Sequence, residues 1–228
     1  MDSFVRWLAD DLLGRVGVGR RLVAIDGVDG SGKTSFATLL ASHIEERRPA
    51  VLIHVDAFLN PAPVRHAKGR TSPEGYWLDS YDYPALIERV LGPLSPGGTG
   101  WYCPAVYDLD SERSITVEPT FAPPDAVIVV EGLFLHRDEL APVWDASAFL
   151  DVPFTVTAAR MAVRDGSHPD PEHPTMRRYV GGQRLYFAAA RPWERATYVV
   201  DNSDHAAPRR IQPEMATAAR SPRPPGQP

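Results

Sequence analysis

Residues 27 to 34 read GVDGSGKT and match the pattern G-x-x-x-x-G-K-[ST] at every fixed position. The glycines of such a loop allow a tight turn, so that successive backbone N–H groups point inward at phosphate oxygens. The lysine of the pattern reaches the β- and γ-phosphates of a nucleotide, and the hydroxyl group that follows it ligates magnesium. The nucleotide-binding residues predicted from the pattern and its surroundings are Gly27, Asp29, Gly30, Ser31, Gly32, Lys33, Thr34 and Ser35.

The elements around this loop have the order that the motif requires. The apolar run RLVAID precedes the loop, and a helical stretch begins at Thr34. Further nearly continuous apolar runs, typical of strands buried on both faces of a parallel sheet, are AVLIHVD (50–56), DAVIVVEG (125–132), SAFLDV (147–152) and ATYVVDN (196–202). Helical stretches alternate with them over 34–47, 84–90, 154–164 and 175–190. The alternation predicts an α/β protein with the P-loop NTPase fold, a doubly wound parallel sheet of about five strands with a β-hairpin insertion and a lid.

A long connection, residues 57–124, separates the second and third strand runs and is rich in Pro, Gly, Tyr and Trp. Such long connections are usually functional, so we expect this insertion to bind the second substrate, with plain surface decoration as the alternative. Its stretches GTGWYCPAVYD and ERSITVEPT contain β-formers and predict the hairpin. The sequence thus predicts one domain over 1–205. The tail, 206–228, is rich in Pro and Arg and lacks apolar periodicity, which predicts disorder.

The composition limits the classes of partner. The 228 residues carry a net charge of −5, which gives no basic footprint for wrapping nucleic acid. We expect no membrane span, because apolar runs of about 18 residues are missing, and the acids among the first apolar positions predict an amphipathic helix rather than a secretory signal. Cys103 is the only cysteine, which is typical of a reducing compartment. We therefore expect a cytoplasmic protein with small-molecule partners, and homo-oligomerisation stays open.

The chain has only two lysines, Lys33 and Lys68, and this helps to separate the classes of P-loop protein. Neither lysine lies in an Asn-Lys-x-Asp or Thr-Lys-x-Asp sequence, which excludes the ordinary GTPase that reads guanine with that motif. Remodelling ATPases usually have an Asp-Glu pair after the third strand, whereas AVIVV here leads into Glu131 and Gly132. A small-molecule kinase that uses a purine triphosphate as donor fits better.

Four stretches, in order and over roughly residues 20 to 203, resemble the phosphoribulokinase/uridine kinase family, and within it the uridine-cytidine kinase branch. They are the phosphate loop, VDAFLNP, YDYPALI followed by PAVYDLDSER, and VVEGLFL. The resemblance implies a phosphotransferase with an alcohol group as acceptor. Such an enzyme uses ATP as donor and Mg²⁺ as cofactor and acts in nucleoside salvage. The implied acceptor is the 5′-hydroxyl of a nucleoside, with uridine or cytidine first.

The resemblance gives catalytic roles to Asp56, Lys33 and Arg164, and metal-binding roles to Thr34, Asp56 and Glu131. Asp56 ends a predicted buried strand, at the sheet edge where ligands of open α/β sheets bind. Its carboxylate can accept the proton of the acceptor hydroxyl and can also contact the magnesium shell. A helix-capping or turn aspartate is the alternative. Glu131 ends the next strand run along the chain and offers the hard cation an oxygen ligand.

The acceptor side is also assigned through the resemblance. Asp82 is expected to hold the ribose hydroxyls and Tyr107 to flank the base, with Arg113 beside them. A turn acid and a core aromatic are the alternative interpretations of the first two. The uridine-cytidine kinases have a histidine five residues after this tyrosine, where this chain has Glu112. A carboxylate changes the hydrogen-bond pattern at the base edge, so pantothenate, a sugar or another alcohol stays open as acceptor.

A lid is predicted over 164–178, where GSHPDPEHPT interrupts two helical stretches. Arg160 and Arg164 are spaced i, i+4 before it, and Arg177 and Arg178 start the next helix. Arginines on both flanks of a mobile loop can close on the transferred phosphoryl group, although a solvated basic face is the alternative for each of them.

Two further interpretations keep the nucleotide site and change the function. The phosphate loop is also similar to that of thymidylate kinases, which read Asp-Gly-x-Asp-Gly-Ser-Gly-Lys, but the Asp-x-Phe and Glu-Gly stretches point away from them. A nucleotide-binding regulator without turnover is the other alternative, and intact Lys33, Asp56 and Glu131 argue against it. The choice between ATP and GTP as donor stays open at this stage.

Overall fold

The structure is a computed structural model that describes residues 1–220. Its helices are α1 (Asp2–Val16), α2 (Lys33–Glu45), α3 (Ala62–Arg65), α4 (Pro73–Asp79), α5 (Tyr83–Leu86), α6 (Gly92–Leu94), α7 (Phe154–Asp165), α8 (Arg177–Ala190), α9 (Pro192–Arg195) and α10 (Thr217–Arg220). Its strands are β1 (Arg21–Gly27), β2 (Ala50–His54), β3 (Trp101–Tyr102), β4 (Tyr107–Asp108), β5 (Arg113–Ser114), β6 (Thr120–Phe121), β7 (Val127–Gly132), β8 (Ala146–Asp151), β9 (Tyr198–Asp201) and β10 (Arg209–Ile211).

Six of these strands form one sheet in the order β10-β9-β8-β1-β7-β2. The first five in chain order, β1, β2, β7, β8 and β9, are parallel, and β10 pairs antiparallel with β9 at the edge. The apolar runs are buried because helices cover both faces of such a sheet. The predicted α/β class with a mostly parallel sheet is therefore confirmed.

Strand β1 lies at the centre of the sheet and divides the two halves of the core. Leu22 and Ala24 pack into the core on one face, and Val23 and Ile25 pack into the core on the other, where α1 and α2 lie. The chain moves from β1 to one side of the sheet for β2 and β7 and then to the other side for β8 and β9. Ligands of open α/β sheets bind at such a switch point, outside the carboxyl ends of the strands. The phosphate loop follows β1 at this place.

The insertion between β2 and β7 contains both helical and extended segments. Helix α4 packs along α8, and the π-helical turn Ile87–Leu91 extends α5. The predicted hairpin forms as two short antiparallel pairs, β3 with β6 and β4 with β5, which are separate from the six-stranded sheet.

The segment after β9 differs from the prediction. Strand β10 adds to the sheet, and the buried carboxylate of Asp151, at the end of β8, accepts hydrogen bonds from the Thr217 backbone N–H at 2.7 Å and from the Ala218 N–H at 3.1 Å. The expectation of disorder from Ala206 onward is wrong for the part that the structure describes, because a few specific contacts dock this segment without an apolar period. Residues 221–228 of the predicted tail lie outside the described residues.

Helix α1 is amphipathic, as the sequence predicts, and buries Val5, Leu8, Leu12 and Val16. Within residues 1–220, none of the helices combines the length and the apolar character needed to cross a bilayer.

Candidate active site

The phosphate loop has the backbone conformation that its glycines permit. Gly30 and Gly32 have positive φ angles of 70° and 87°, which L side chains rarely adopt. Space is also restricted, because a Cβ at Gly30 would lie 2.8 Å from the Thr157 carbonyl oxygen and one at Gly32 would collide with the His205 ring. Helix α2 begins at Lys33, directly after the loop, so its N-terminus adds to the attraction for phosphate.

A buried polar network supports the loop from below. Asp26 accepts a hydrogen bond from the Gly27 N–H at 2.7 Å, and its other oxygen lies 2.7 Å from His136 Nδ1. Tyr186 Oη donates to the same carboxylate, and His136 Nε2 lies 2.9 Å from Ser147 Oγ. These side chains are buried, so the network fixes the end of β1 and has no access for a substrate.

The segment that follows β9 supports the loop from the side. Asn202 Nδ2 donates to the Ser31 carbonyl oxygen at 2.7 Å. The guanidinium of Arg160 donates to the carbonyl oxygens of Gly30 at 3.3 Å and Ser203 at 2.7 Å. Arg160 therefore holds the loop backbone in this structure, whereas the sequence analysis predicts it to be one of the arginines that flank a mobile lid.

The loop lysine and the loop aspartate have distinct partners. Lys33 Nζ donates to the Val28 carbonyl oxygen at 2.9 Å and so lies over the loop. The Asp29 carboxylate accepts a hydrogen bond from Tyr76 Oη at 2.6 Å and lies 3.5 Å from Gln183 Nε2. Because Tyr76 belongs to α4, this contact joins the insertion to the phosphate loop.

Glu131 meets the start of α2 across the end of the sheet. Its Oε1 lies 3.1 Å from Thr34 Oγ1 and 2.7 Å from His54 Nδ1, and this bond to the carboxylate raises the pKa of His54. Glu131 is buried, at 5% exposure. The glycine after it is required for packing, because a Cβ at Gly132 would lie 2.5 Å from the Val55 Cβ. The Glu-Gly pair thus places a carboxylate where β2 and β7 approach closely.

Asp56 lies two residues beyond the end of β2, on the 3₁₀ turn Val55–Phe58, rather than at the strand end itself. Its Oδ1 accepts a hydrogen bond from Tyr81 Oη at 2.7 Å. Asp56 is exposed as a residue, but desolvation of its carboxyl group raises its pKa. The Tyr81 bond and the Lys33 charge lower this pKa and the charges of Glu131 and Asp29 raise it, so the net effect is upward. A carboxylate with a raised pKa is a more suitable general base near neutral pH.

The four predicted lid arginines have different surroundings in the structure. Arg164 is 62% exposed in its side chain and pairs with the adjacent aspartate at 2.7 Å, and Arg177 is exposed at the start of α8. Arg178 is buried, and its guanidinium donates to the carbonyl oxygens of Arg65 at 3.3 Å and Arg70 at 3.4 Å. Arg178 therefore holds the insertion against α8, whereas Arg164 and Arg177 keep the solvent exposure that a lid role needs.

Asp82 has the geometry of a helix cap. Its Oδ1 accepts a hydrogen bond from the Ala85 N–H at 2.9 Å, at the start of α5. It also lines a cavity of about 440 Å³ inside the insertion. Other residues around this cavity are Leu59, Glu88, Arg89, Cys103, Val106 and Thr116. The capping contact is the alternative that the sequence left open, and an acceptor-binding role for Asp82 stays a prediction.

Tyr107 is buried, at 2% exposure, and its hydroxyl accepts a hydrogen bond from Arg65 Nη2 at 3.2 Å. The guanidinium carbon of Arg65 lies 5.6 Å from the centroid of the same ring. Glu112, with a positive φ of 50°, lies 3.8 Å from Arg65 Nη2 and is 69% exposed in its side chain. Arg113 is exposed on β5. Tyr107 and Glu112 therefore both lie beside Arg65, a residue that the sequence analysis did not select.

The sequence analysis did not select several residues that the structure places at the site. They are His54, Tyr76, Tyr81, His136, Gln183 and Asn202. Most of their contacts join positions far apart in the chain, such as Tyr81 with Asp56 or Asn202 with Ser31, and no spacing pattern reports such pairs. The one available signal was the density of tyrosines in GYWLDSYDY, because a buried tyrosine needs a hydrogen-bond partner.

No family model matches the sequence. Among solved structures, a possible uridine kinase from Bacillus stearothermophilus aligns with a TM-score of 0.69 and 21% identity, over 86% of this chain and 96% of that one. A candidate fructose transport system kinase from a Silicibacter species aligns with a TM-score of 0.66 and 22% identity, over 82% and 95%. A D-glycerate 3-kinase from Cryptococcus neoformans aligns with a TM-score of 0.59 and 11% identity, over 91% and 99%. The chain thus has the P-loop NTPase fold that the sequence predicts, which these kinases share.

Proposed function

We propose that the protein is an ATP- and Mg²⁺-dependent kinase that phosphorylates a hydroxyl group of a small molecule. The observation that carries this proposal is the 3.1 Å approach of Thr34 Oγ1 to Glu131 Oε1, which brings together oxygen donors from the start of α2 and the end of β7. Lys33 and the carboxylate of Asp56 lie within electrostatic range of each other beside this pair. A phosphate-binding loop, a pair of oxygen ligands and a base beside them are the parts that phosphoryl transfer needs.

The donor set of the site fits magnesium. Mg²⁺ binds oxygen ligands and usually completes its shell with water and substrate phosphates. Thr34 and Glu131 would hold the ion, with Asp56 as a candidate third ligand. When bound, the ion neutralises charge on the phosphates.

The residues of the chain have separable roles in the proposed reaction. The loop N–H groups and Lys33 bind the phosphates and orient the γ-phosphoryl group. Asp56 accepts the proton of the acceptor hydroxyl as the new O–P bond forms and the bond to the β-phosphate oxygen breaks, which releases ADP. Tyr81 donates to Oδ1 of Asp56 and so orients the base. Arg164 is the exposed arginine that lid closure would bring to the phosphoryl group.

Two acceptor classes follow from the sequence and the comparisons. A nucleoside 5′-hydroxyl is implied by the resemblance, and one structure with the same fold is a possible uridine kinase. Other alcohols keep the same chemistry, and the contact of Glu112 with Arg65 favours them, because a carboxylate held by an arginine replaces the histidine of the uridine-cytidine kinases.

The test is an acceptor screen in which ADP release is measured by a coupled assay with the full chain, ATP and Mg²⁺. The panel contains uridine, cytidine, pantothenate, sugars and sugar acids, and GTP replaces ATP in a second series. Acceptor-dependent ADP release is expected. A chain that binds ATP and releases no ADP with any acceptor would be a regulator rather than a kinase.

A further inference from the structure

A group of basic side chains lies where the insertion meets α8, and the proposed reaction so far assigns none of them a ligand. Residues 65–70 read RHAKGR, and Arg178 reaches this segment from α8 through its bonds to the Arg65 and Arg70 carbonyl oxygens. We name Arg65, His66, Arg70 and Arg178 the basic cluster. Lys68 is not included, because its ammonium pairs with Asp79 at 2.5 Å.

The basic cluster has more donors than partners. Arg65 is 16% exposed in its side chain, and its Nε is buried without a hydrogen-bond partner in the described part of the chain. His66 Nδ1 is likewise buried without a partner among residues 1–220. A buried polar atom without a partner is costly, so it calls for an explanation such as backbone strain, a catalytic role, or a bound water or ion.

The charge of the cluster is also poorly balanced. Burial and the positive charges of Arg178, Arg65 and Arg70 lower the pKa of His66, and the carboxylate of Glu112 opposes them only in part. Glu112 lies 3.8 Å from Arg65 and is largely exposed, so its ion pair is weak and another anion can replace it.

Two tyrosines connect the cluster to the proposed reaction centre. Arg178 lies 5.2 Å from the centroid of Tyr76, whose hydroxyl binds Asp29 of the phosphate loop. Arg65 binds the hydroxyl of Tyr107, in a segment that contacts the 3₁₀ turn containing Asp56. The backbone bond from the Val106 N–H to the Ala57 carbonyl oxygen, 3.0 Å long, fixes this proximity. The segment that carries Asp56 and the basic cluster are therefore joined by a short chain of contacts.

We propose that the acceptor is an anionic alcohol, whose carboxylate or phosphate group binds to Arg65 with His66 and Arg70 while its hydroxyl faces Asp56. This inference rests on the proposed kinase function and narrows its substrate class. Arginine suits the role because its planar fork matches two oxygens of a carboxylate or phosphate. Arg178, occupied by backbone carbonyl oxygens, positions the segment rather than the ligand.

The experiment compares matched acceptors that differ in one anionic group. The pairs are D-glycerate with glycerol, pantothenate with pantothenol, and ribose 5-phosphate with ribose. Acceptor-dependent ADP release is measured with the full chain, and binding of the same compounds is measured in parallel by calorimetry. We expect the anionic member of at least one pair to be preferred by about 100-fold in kcat/KM, and the carboxylate and phosphate pairs show which anion binds.

Variants of single arginines test which side chains bind the anionic group of the acceptor. Arg65→Met is expected to raise KM for the anionic acceptor by about 10- to 100-fold and to leave the KM for ATP unchanged. Arg70 lies at an exposed position, so Arg70→Met should fold normally and should raise the KM for the anionic acceptor less than Arg65→Met does. Arg65→Lys should keep part of the affinity for the acceptor that Arg65→Met loses. Arg6→Met removes a comparable paired arginine from α1 and should change neither constant.

The outcomes separate the two proposals. If no compound is phosphorylated, the kinase assignment fails, and the binding measurements still decide the inference about the anion. Equal or better use of the neutral members, or anion binding that Arg65→Met and Arg70→Met leave unchanged, overturns the inference while the kinase assignment stands.

Discussion

The phosphate loop and the insertion meet at the candidate active site but are held in different ways. The loop is fixed from below by Asp26, from the side by Asn202 and Arg160, and by the start of α2. The insertion reaches the same place mainly through two tyrosine hydroxyls, Tyr76 on Asp29 and Tyr81 on Asp56. The difference fits the proposed function, in which the loop would bind phosphate as in other P-loop kinases and the insertion would bind the acceptor, which changes among them.

The largest expected effect tests the loop. Lys33→Ala should lower kcat by at least about 1000-fold and leave the melting temperature within a few degrees, because the ammonium binds phosphates and packs against no core residue. Coupled ADP release and thermal unfolding measure the two quantities. Lys68→Ala is the matched control, since it removes the only other lysine of the chain and should keep wild-type kcat. Near-normal turnover of Lys33→Ala would contradict the phosphate-loop assignment.

The second prediction concerns Asp56, which lies between the sheet and the insertion. Asp56→Asn should lower kcat by about 100-fold or more, while affinity for ATP falls much less, since the amide keeps the shape and loses the basicity. The measurement is kcat against magnesium concentration for both proteins. If high magnesium alone restores the wild-type rate, Asp56 is a metal ligand and not the base.

A third prediction concerns the contact that docks the C-terminal segment. Thr217→Val should lower the free energy of unfolding by about 1–3 kcal/mol, because the buried Asp151 loses a hydroxyl donor that lies 2.8 Å from its Oδ2. Urea unfolding gives this value. Thr38→Val, on the exposed side of α2, is the control and should change it by less than about 0.5 kcal/mol. Equal stability of the two variants would mean that the Thr217 hydroxyl contributes nothing to the docking of this segment.

The smallest effect tests the link from the insertion to the base. Tyr81→Phe removes a bond that lowers the pKa of Asp56, so this pKa rises further. Since the deprotonated carboxylate is the active form, the acid limb of the profile of kcat/KM against pH should move to higher pH. Tyr102→Phe, on β3, should leave the profile in place. A shift toward lower pH in Tyr81→Phe would contradict the proposed role.

The comparison also separates what the sequence predicts from what it does not. The phosphate loop and the strands were found within a few residues, for example 125–132 against Val127–Gly132, because apolar runs and glycine spacing are local signals. The functions of Arg160 and Arg178 were not found, since their partners are backbone carbonyl oxygens far away in the chain. For the same reason, the sequence did not predict that Thr217 docks on Asp151. Local patterns thus predicted the scaffold, and the contacts that tune the site had no local pattern.

The network below the loop has a consequence for hydrogen exchange. The N–H of Gly27 is bound to the Asp26 carboxylate, and the N–H of His136 is bound to Tyr186 Oη at 3.0 Å, all inside the core. Amides in such positions exchange with deuterated solvent only when the whole domain unfolds, whereas amides of the two-residue strands in the insertion open locally. In a time course of deuterium uptake, the start of the phosphate loop should therefore be among the last segments to be labelled. In the proposed kinase, the acceptor would then enter through local opening of the insertion and of the predicted lid.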